Sequence, residues 1–256
     1  MKLTFVALAL VAGASARTFH VVNKCSFTIW PAIFTDQTSP GRITSRPNGW
    51  KQGAHTTVSF AVPDNWQKGR IWGRRDCDFS GPNPGPNSCV DGGCNGGLVC
   101  DAKTGTGVPP ATLAEFTLSG AGNLDNYDVS VVDGFNLPMS ITNNHQDKCH
   151  VASCPVDLNP DCPKPLKGPF DKSGKAVGCK SACEAHLAPD PNNDPNCCTG
   201  SHSSPNTCKK GGVQFYDYFK SRCKNSYVFA FDEPSGTALW TCPSGLKADY
   251  TITFCP

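Results

Sequence analysis

Tyr127-Asp128-Val129-Ser130-Val131-Val132-Asp133-Gly134-Phe135-Asn136-Leu137-Pro138-Met139 opens as a β-type run and reaches a turn signal at Asp133-Gly134. Side chains alternate in face along a strand, so strict alternation puts Asp128 and Asp133 on opposite sides. A bulge or turn at Asp133-Gly134 would bring both carboxylates to one side. Similar short runs recur outward from this stretch. Residues 19–22 and 27–30 flank Cys25, and residues 56–62 alternate with Val58, Phe60 and Val62 on one face. Residues 69–73, 112–118 and 250–254 follow, separated by Pro/Gly clusters such as Gly81-Pro82-Asn83-Pro84-Gly85-Pro86. Many short strands between Gly/Pro turns predict an all-β sandwich or barrel.

The chain has 256 residues, 38% hydrophobic and 17% charged, with 25 Gly and 22 Pro. That composition suits a turn-rich chain and excludes a coiled coil, collagen or a disordered chain. The formal net charge of +2 argues against a nucleic-acid binder or an anionic-membrane binder. Residues 1–16, MKLTFVALALVAGASA, read as a signal peptide: Lys2, a short apolar run, then Ala14-Ser15-Ala16 as cleavage site. The run is too short to span a bilayer of about 30 Å. No later stretch is apolar enough to span one, so a secreted, extracellular protein is expected.

Sixteen cysteines in an oxidising compartment predict disulfides rather than metal ligands. A zinc reading can be built from Cys149, His150 and Cys154, but the chain has no C-x₂-C…C-x₂-C pattern to complete it. Asp190, Asn192 and Asp194 imitate a calcium loop, but Pro195 and Ser201 stand where its glycine and closing acid belong. No metal and no cofactor are expected. Nine of the sixteen cysteines fall in residues 149–223, a stretch rich in Pro, Asn and Lys. Such a segment buries little core and needs staples. We read it as a disulfide-rich module, with helices expected over residues 178–187 and 213–219. Residues 17–148 and 224–256 form the β core. Sixteen cysteines allow on the order of a million pairings, so spacing alone leaves the connectivity open.

Several segments together resemble the thaumatin-like family, the secreted sixteen-cysteine type also called pathogenesis-related group 5. They are residues 22–30 (VNKCSFTIW), residues 69–74 (GRIWGR) followed by Cys77, Cys89, Cys94 and Cys100, and residues 112–116 (TLAEF). The stretch 127–139 and the ending from Thr241-Cys242-Pro243 to Cys255-Pro256 complete the likeness. This chain departs from the family at Arg75-Asp76, where a Thr is usual, and at Gly92-Gly93-Cys94, where the family has Gly-Asp-Cys. The resemblance implies a mainly β fold: an antiparallel β-sandwich core, a disulfide-rich, partly helical inserted domain, and an acidic cleft between. It also implies the pairs Cys25–Cys255, Cys77–Cys89, Cys94–Cys100, Cys149–Cys242, Cys154–Cys223, Cys162–Cys179, Cys183–Cys197 and Cys198–Cys208.

Family members line the cleft with one arginine and four acids, which the resemblance carries onto Arg70, Glu115, Asp128, Asp133 and Asp232. Independently, alternation over residues 112–118 puts Ala114, Phe116 and Leu118 on an apolar face and leaves Glu115 on the polar one. Taken alone, Glu115 reads as a solvated strand residue, Asp133 as a turn cap and Arg70 as a structural ion pair. Two carboxyl groups across a cleft are the usual means of cleaving a glycosidic bond. The expectation is Glu115 as general acid and Asp133 as base or nucleophile. Arg70, Asp128 and Asp232 orient them and bind sugar hydroxyls, and Phe135 stacks on a sugar ring. The resemblance thus implies a monomer acting on β-1,3-glucan, as an endo-β-1,3-glucanase or as a non-catalytic, glucan-binding antifungal defence protein. An inhibitor or membrane-permeabilising toxin would call for a strongly basic face or an exposed reactive loop, and the formal charge of +1 left when Lys2 goes with the leader does not support the basic face. The sequence contains no G-x-S-x-G, H-E-x-x-H or Gly-rich phosphate loop.

Overall fold

A computed structural model describes residues 16–256. Residues 1–15 of the expected leader lie outside the described residues, and Ala16 opens the first strand. The strands are β1 (Ala16–Asn23), β2 (Ala32–Thr35), β3 (Thr56–Pro63), β4 (Gly69–Trp72) and β5 (Leu113–Thr117). They continue with β6 (Leu124–Ser130), β7 (Met139–Asn143), β8 (Ala152–Cys154), β9 (Trp240–Pro243) and β10 (Tyr250–Phe254). They form two five-stranded sheets, ordered β3-β1-β10-β7-β8 and β2-β4-β5-β6-β9. First and last strands lie side by side in parallel, Phe19 opposite Tyr250 and Asn23 opposite Phe254. The protein is mainly β, as expected. The run 27–30 makes only an isolated bridge, Ile29 to Gln52.

Aromatic residues from both sheets meet in the sandwich. Phe19 stands 4.8 Å from Phe116, and Tyr127 stands 5.2 Å from Tyr250, ring centre to ring centre. Trp66 closes the cluster, its indole N–H donating to Thr35 Oγ1 at 2.7 Å. At the edge of this core the Asp125 carboxylate is fully buried and fully used. It accepts from Arg17 Nη1, from Tyr250 Oη at 2.9 Å, from Ser244 Oγ at 2.8 Å and from the Ser119 amide at 3.0 Å. A buried charge stays tolerable only when paired and hydrogen-bonded in this way.

The segment expected as a module, residues 149–223, starts as part of the first sheet, because β8 pairs with β7. Beyond it the chain runs in turns to one short helix, α1 (Tyr216–Arg222), three residues later than the helix expected at 213–219. The helix expected over 178–187 does not form. Cys179 exchanges two backbone hydrogen bonds with Phe135, at 2.7 and 2.8 Å, and that pairing requires extended backbone. Residues 181–187 then close only single turns, Ala185 amide to Ser181 carbonyl and Leu187 amide to Ala182 carbonyl. Eight disulfides staple the whole: 25–255, 77–89, 94–100, 149–242, 154–223, 162–179, 183–197 and 198–208. These are the pairs the resemblance implies.

One buried acid makes stability depend on pH. Asp91 Oδ1 accepts from the Arg75 amide at 3.1 Å and from Asn136 Nδ2 at 2.9 Å, while Oδ2 has no partner. Burial pushes its carboxyl up to about 7. The folded chain therefore holds this proton where the unfolded chain, with an ordinary Asp value near 4, has released it. The resulting stabilisation is complete below about pH 4 and is lost as pH rises towards 7. Asp91→Asn keeps the shape and removes the titration. We expect the variant to melt above wild type at pH 8 and level with it at pH 4, a gap on the order of a few kcal/mol. Parallel melting curves at both pH values would refute this.

Candidate functional site

The register of the second sheet builds the site. Arg70 on β4 lies opposite Glu115 on β5, and Glu115 lies opposite Asp128 on β6. Directly paired residues point to the same face, so these three side chains form a row across adjacent strands. Their neighbours Ile71, Ala114 and Val129 point the other way, into the sandwich, and are fully buried. The row thus sits on the outer face because the inner face is committed to the core. Glu115 lies on the polar side that its alternation indicates.

Asp133 joins the row by the break that the sequence signals. β6 ends at Ser130, and the Gly134 amide donates to the Val131 carbonyl at 3.0 Å, closing a tight turn. Gly134 has φ +82°, a conformation open to glycine at little cost. A Cβ there would lie 2.7 Å from Pro110 and 3.0 Å from the Cys179 carbonyl. The turn returns Asp133 to the side of Asp128. Arg70 then bridges two acids, with Nη2 3.3 Å from Glu115 Oε1 and Nη1 4.0 Å from Asp133 Oδ2.

These groups line a hollow of about 310 Å³ with Leu113, Ser130, Tyr227, Ala230 and Glu233. A second hollow of about 320 Å³ continues along the sheet, sharing Arg70, Glu115 and Asp128 and extending past Phe34, Lys68 and Leu239. Together they make an elongated, polar, open cleft. Its carboxyls are shifted upward as a set. Burial raises Glu115, and Asp133 adds to this while Arg70 opposes it. Asp128 is raised furthest, by burial and then by the Glu115 charge, and its Oδ1 is buried without a partner. Burial also raises Asp133 against the pull of Arg70. Crowded carboxyls in a partly dry cleft hold protons that exposed ones would release.

Two residues expected in the cleft are elsewhere. Phe135 is fully buried in the core, carried inward by the Gly134 turn and pinned by its Cys179 pairing, so it cannot stack on a sugar. Asp232 is 1% exposed and faces away. Its carboxylate accepts from Tyr216 Oη at 2.8 Å, Lys220 Nζ at 2.9 Å and the Val228 amide at 3.2 Å. The next residue, Glu233, lines the cleft instead and hydrogen-bonds Tyr227. The acid pair Asp232-Glu233 was the available signal, but irregular backbone there offers no alternation to choose between them. Tyr227 itself carries no sequence signal. It enters through a backbone pairing, its amide donating to the Val129 carbonyl at 2.9 Å. Burial raises Glu184, and the nearby Asp133 charge adds to this.

Comparison with known proteins agrees with this architecture. The thaumatin family matches residues 23–256, and the chain belongs to that family. It is 39% identical over 260 residues to pathogenesis-related thaumatin-like protein 3.5 of Cryptomeria japonica, covering 100% of this chain and 98% of that one. It is 36% identical over 247 residues to a glucan endo-1,3-beta-glucosidase of Prunus avium, covering 95% of this chain and 92% of that one. Among solved structures, a GH family 64 laminaripentaose-producing beta-1,3-glucanase from Paenibacillus barengoltzii superposes with TM-score 0.55 at 10% identity. That match covers 95% of this chain and 75% of the glucanase, and at such low identity it speaks for the fold alone. Among the described residues no helix is long and apolar enough to cross a membrane, and no cluster of His, Cys, Asp or Glu could hold a metal ion.

Proposed function

We propose that this is a secreted endo-β-1,3-glucanase that lays a glucan chain along the cleft and hydrolyses it with two carboxyl groups. The carrying observation is the row of Arg70, Glu115 and Asp128 with Asp133 returned beside it, all three acids raised towards protonation. The Prunus avium relative supports the substrate class. The leader-like residues 1–16 and eight disulfides support secretion.

In this reading Glu115 carries the proton given to the departing glycosidic oxygen. Asp133, the most exposed of the three, is the ionised partner that activates water or attacks the sugar carbon. Asp128 stays protonated, donates to a sugar hydroxyl and keeps a second negative charge away from Glu115. Arg70 fixes both reacting carboxyls, and Glu233 with Tyr227 forms the opposite wall.

One observation favours the alternative of a glucan-binding defence protein without turnover. Arg70 contacts Glu115 at 3.3 Å, which stabilises its ionised form and disfavours a general acid. Reducing-sugar release from soluble β-1,3-glucan across pH 3–8 decides between them. Hydrolysis requires ionised Asp133 and protonated Glu115, so we expect maximal release in acid and decline towards neutral pH as Glu115 deprotonates. Retention on the glucan with no release at any pH would leave a binding protein.

A further inference from the structure

A cavity larger than either hollow of the cleft lies elsewhere among the described residues. It lies on the other side of residues 229–237 and measures about 870 Å³. This size falls within the range of about 300–1,000 Å³ usual for small-molecule sites. The segment partitions the two sites by residue. Ala230 and Glu233 face the cleft, whereas Phe229, Phe231, Asp232 and Pro234 face the cavity. Helix α1 supplies Tyr216, Asp217, Lys220 and Ser221 to the facing wall, and the loop at Pro205, Cys208, Lys209 and Lys210 supplies the end.

The floor is aromatic. Tyr216 and Phe229 meet edge to face with centres 5.7 Å apart. The polar groups at the bottom are already satisfied, because Asp232 is neutralised by Lys220 and Lys220 also donates to the Ser226 carbonyl at 2.7 Å. The charge left at the mouth comes from Lys209, Lys210 and Lys224 against the one carboxylate of Asp217. The mouth is therefore net positive on a chain whose whole formal charge is only +2. It is opposite in sign to the cleft.

We infer that this cavity is a second binding site, for a small amphipathic organic anion. The apolar body of the ligand, alkyl or aryl, lies against Tyr216, Phe229 and Phe231, and its carboxylate or sulfonate head meets Lys210 and Lys224. Apolar area supplies most of the affinity at about 25 cal/mol per Å² buried, and the lysines select for a negative head. The site is independent of the glucan reading, since it shares no lining residue with the cleft.

The probe is 1-anilinonaphthalene-8-sulfonate, titrated into the native, non-reduced protein and read by fluorescence. One saturable site is expected, displaced by laurate or by naphthoate, and which of them competes better reports an alkyl or an aryl preference. The uncharged N-phenyl-1-naphthylamine should bind at least tenfold more weakly. Reversing both exposed lysines in Lys210→Glu/Lys224→Glu should weaken the sulfonate at least tenfold and leave the neutral probe within twofold. Glu115→Gln should leave both unchanged. Phe231→Ala provides a second variant, expected to weaken both probes alike, with its melting temperature confirming the fold. Absence of saturable binding, or equal sulfonate affinity in the lysine variant and wild type, would overturn the proposal.

Discussion

Glu115→Gln is expected to lower β-1,3-glucan hydrolysis by about 10²–10⁴-fold, the usual contribution of a positioned acid or base. The amide matches the carboxyl in size and can still accept from Ser130, but it has no proton to transfer. Asp128 is raised chiefly by its own burial, which the substitution leaves in place, so its neutral form is kept. Arg70 keeps Asp133 as partner. Glucan retention should therefore stay within a few-fold of wild type while turnover collapses, a kcat effect with little change in KM. Asp133→Asn should cost turnover comparably, and Asp128→Asn less, because Asp128 works in its neutral form. Turnover of Glu115→Gln within fivefold of wild type would remove Glu115 from the chemistry.

The second large effect concerns the crosslinks. Replacing Cys25 and Cys255 together by Ser opens a closure of 230 residues, which joins the end of β1 to the end of β10. Loop-entropy arguments assign such a closure about 5 kcal/mol. For a chain of this length that corresponds to a fall in melting temperature of roughly 10–20 °C. Removing all eight bonds exceeds the total stability of an ordinary domain, about 5–15 kcal/mol. The fully reduced chain should therefore lose its near-ultraviolet dichroism at room temperature. Calorimetry of the Cys25→Ser/Cys255→Ser variant checks the first figure, and a shift under 3 °C would show that the parallel β1–β10 pairing suffices without its crosslink. Several cysteines, among them Cys154, Cys179, Cys223 and Cys242, have no solvent exposure. Reduction of the native protein should accordingly need denaturant.

The cleft and the cavity back onto one another across residues 229–237, and Asp232, which the resemblance places in the cleft, belongs to the cavity side. In a strand, period two would have decided the matter, as it did for Glu115. Asp232 caps a single 3-10 turn over Glu233–Ser235, which is too short to repeat a pattern that would tell one face from the other. The result reassigns an acid from sugar binding to a buried lysine pair. It also leaves Glu233 and Tyr227 as the wall that a glucan would meet.

What the sequence determined by itself was whatever depends on local period and covalent chemistry. Alternation located β3, β4, β5 and β10 to within a residue or so, and the cysteine content with the family resemblance indicated the staples. Period two and a Gly-containing turn were enough to put Glu115 outward and to mark where Asp133 could return beside Asp128. Tertiary structure alone decided what depends on pairing between distant segments. Extended pairing with Phe135 overrode the helix expected at Cys179, and the same pairing buried Phe135. Strand register set Arg70, Glu115 and Asp128 in one row, and packing of α1 against residues 229–237 turned Asp232 inward. A side chain's face follows from its own neighbours in sequence only while the backbone is regular. Where the chain leaves regular structure, hydrogen bonds and burial contributed by segments far along it choose the direction.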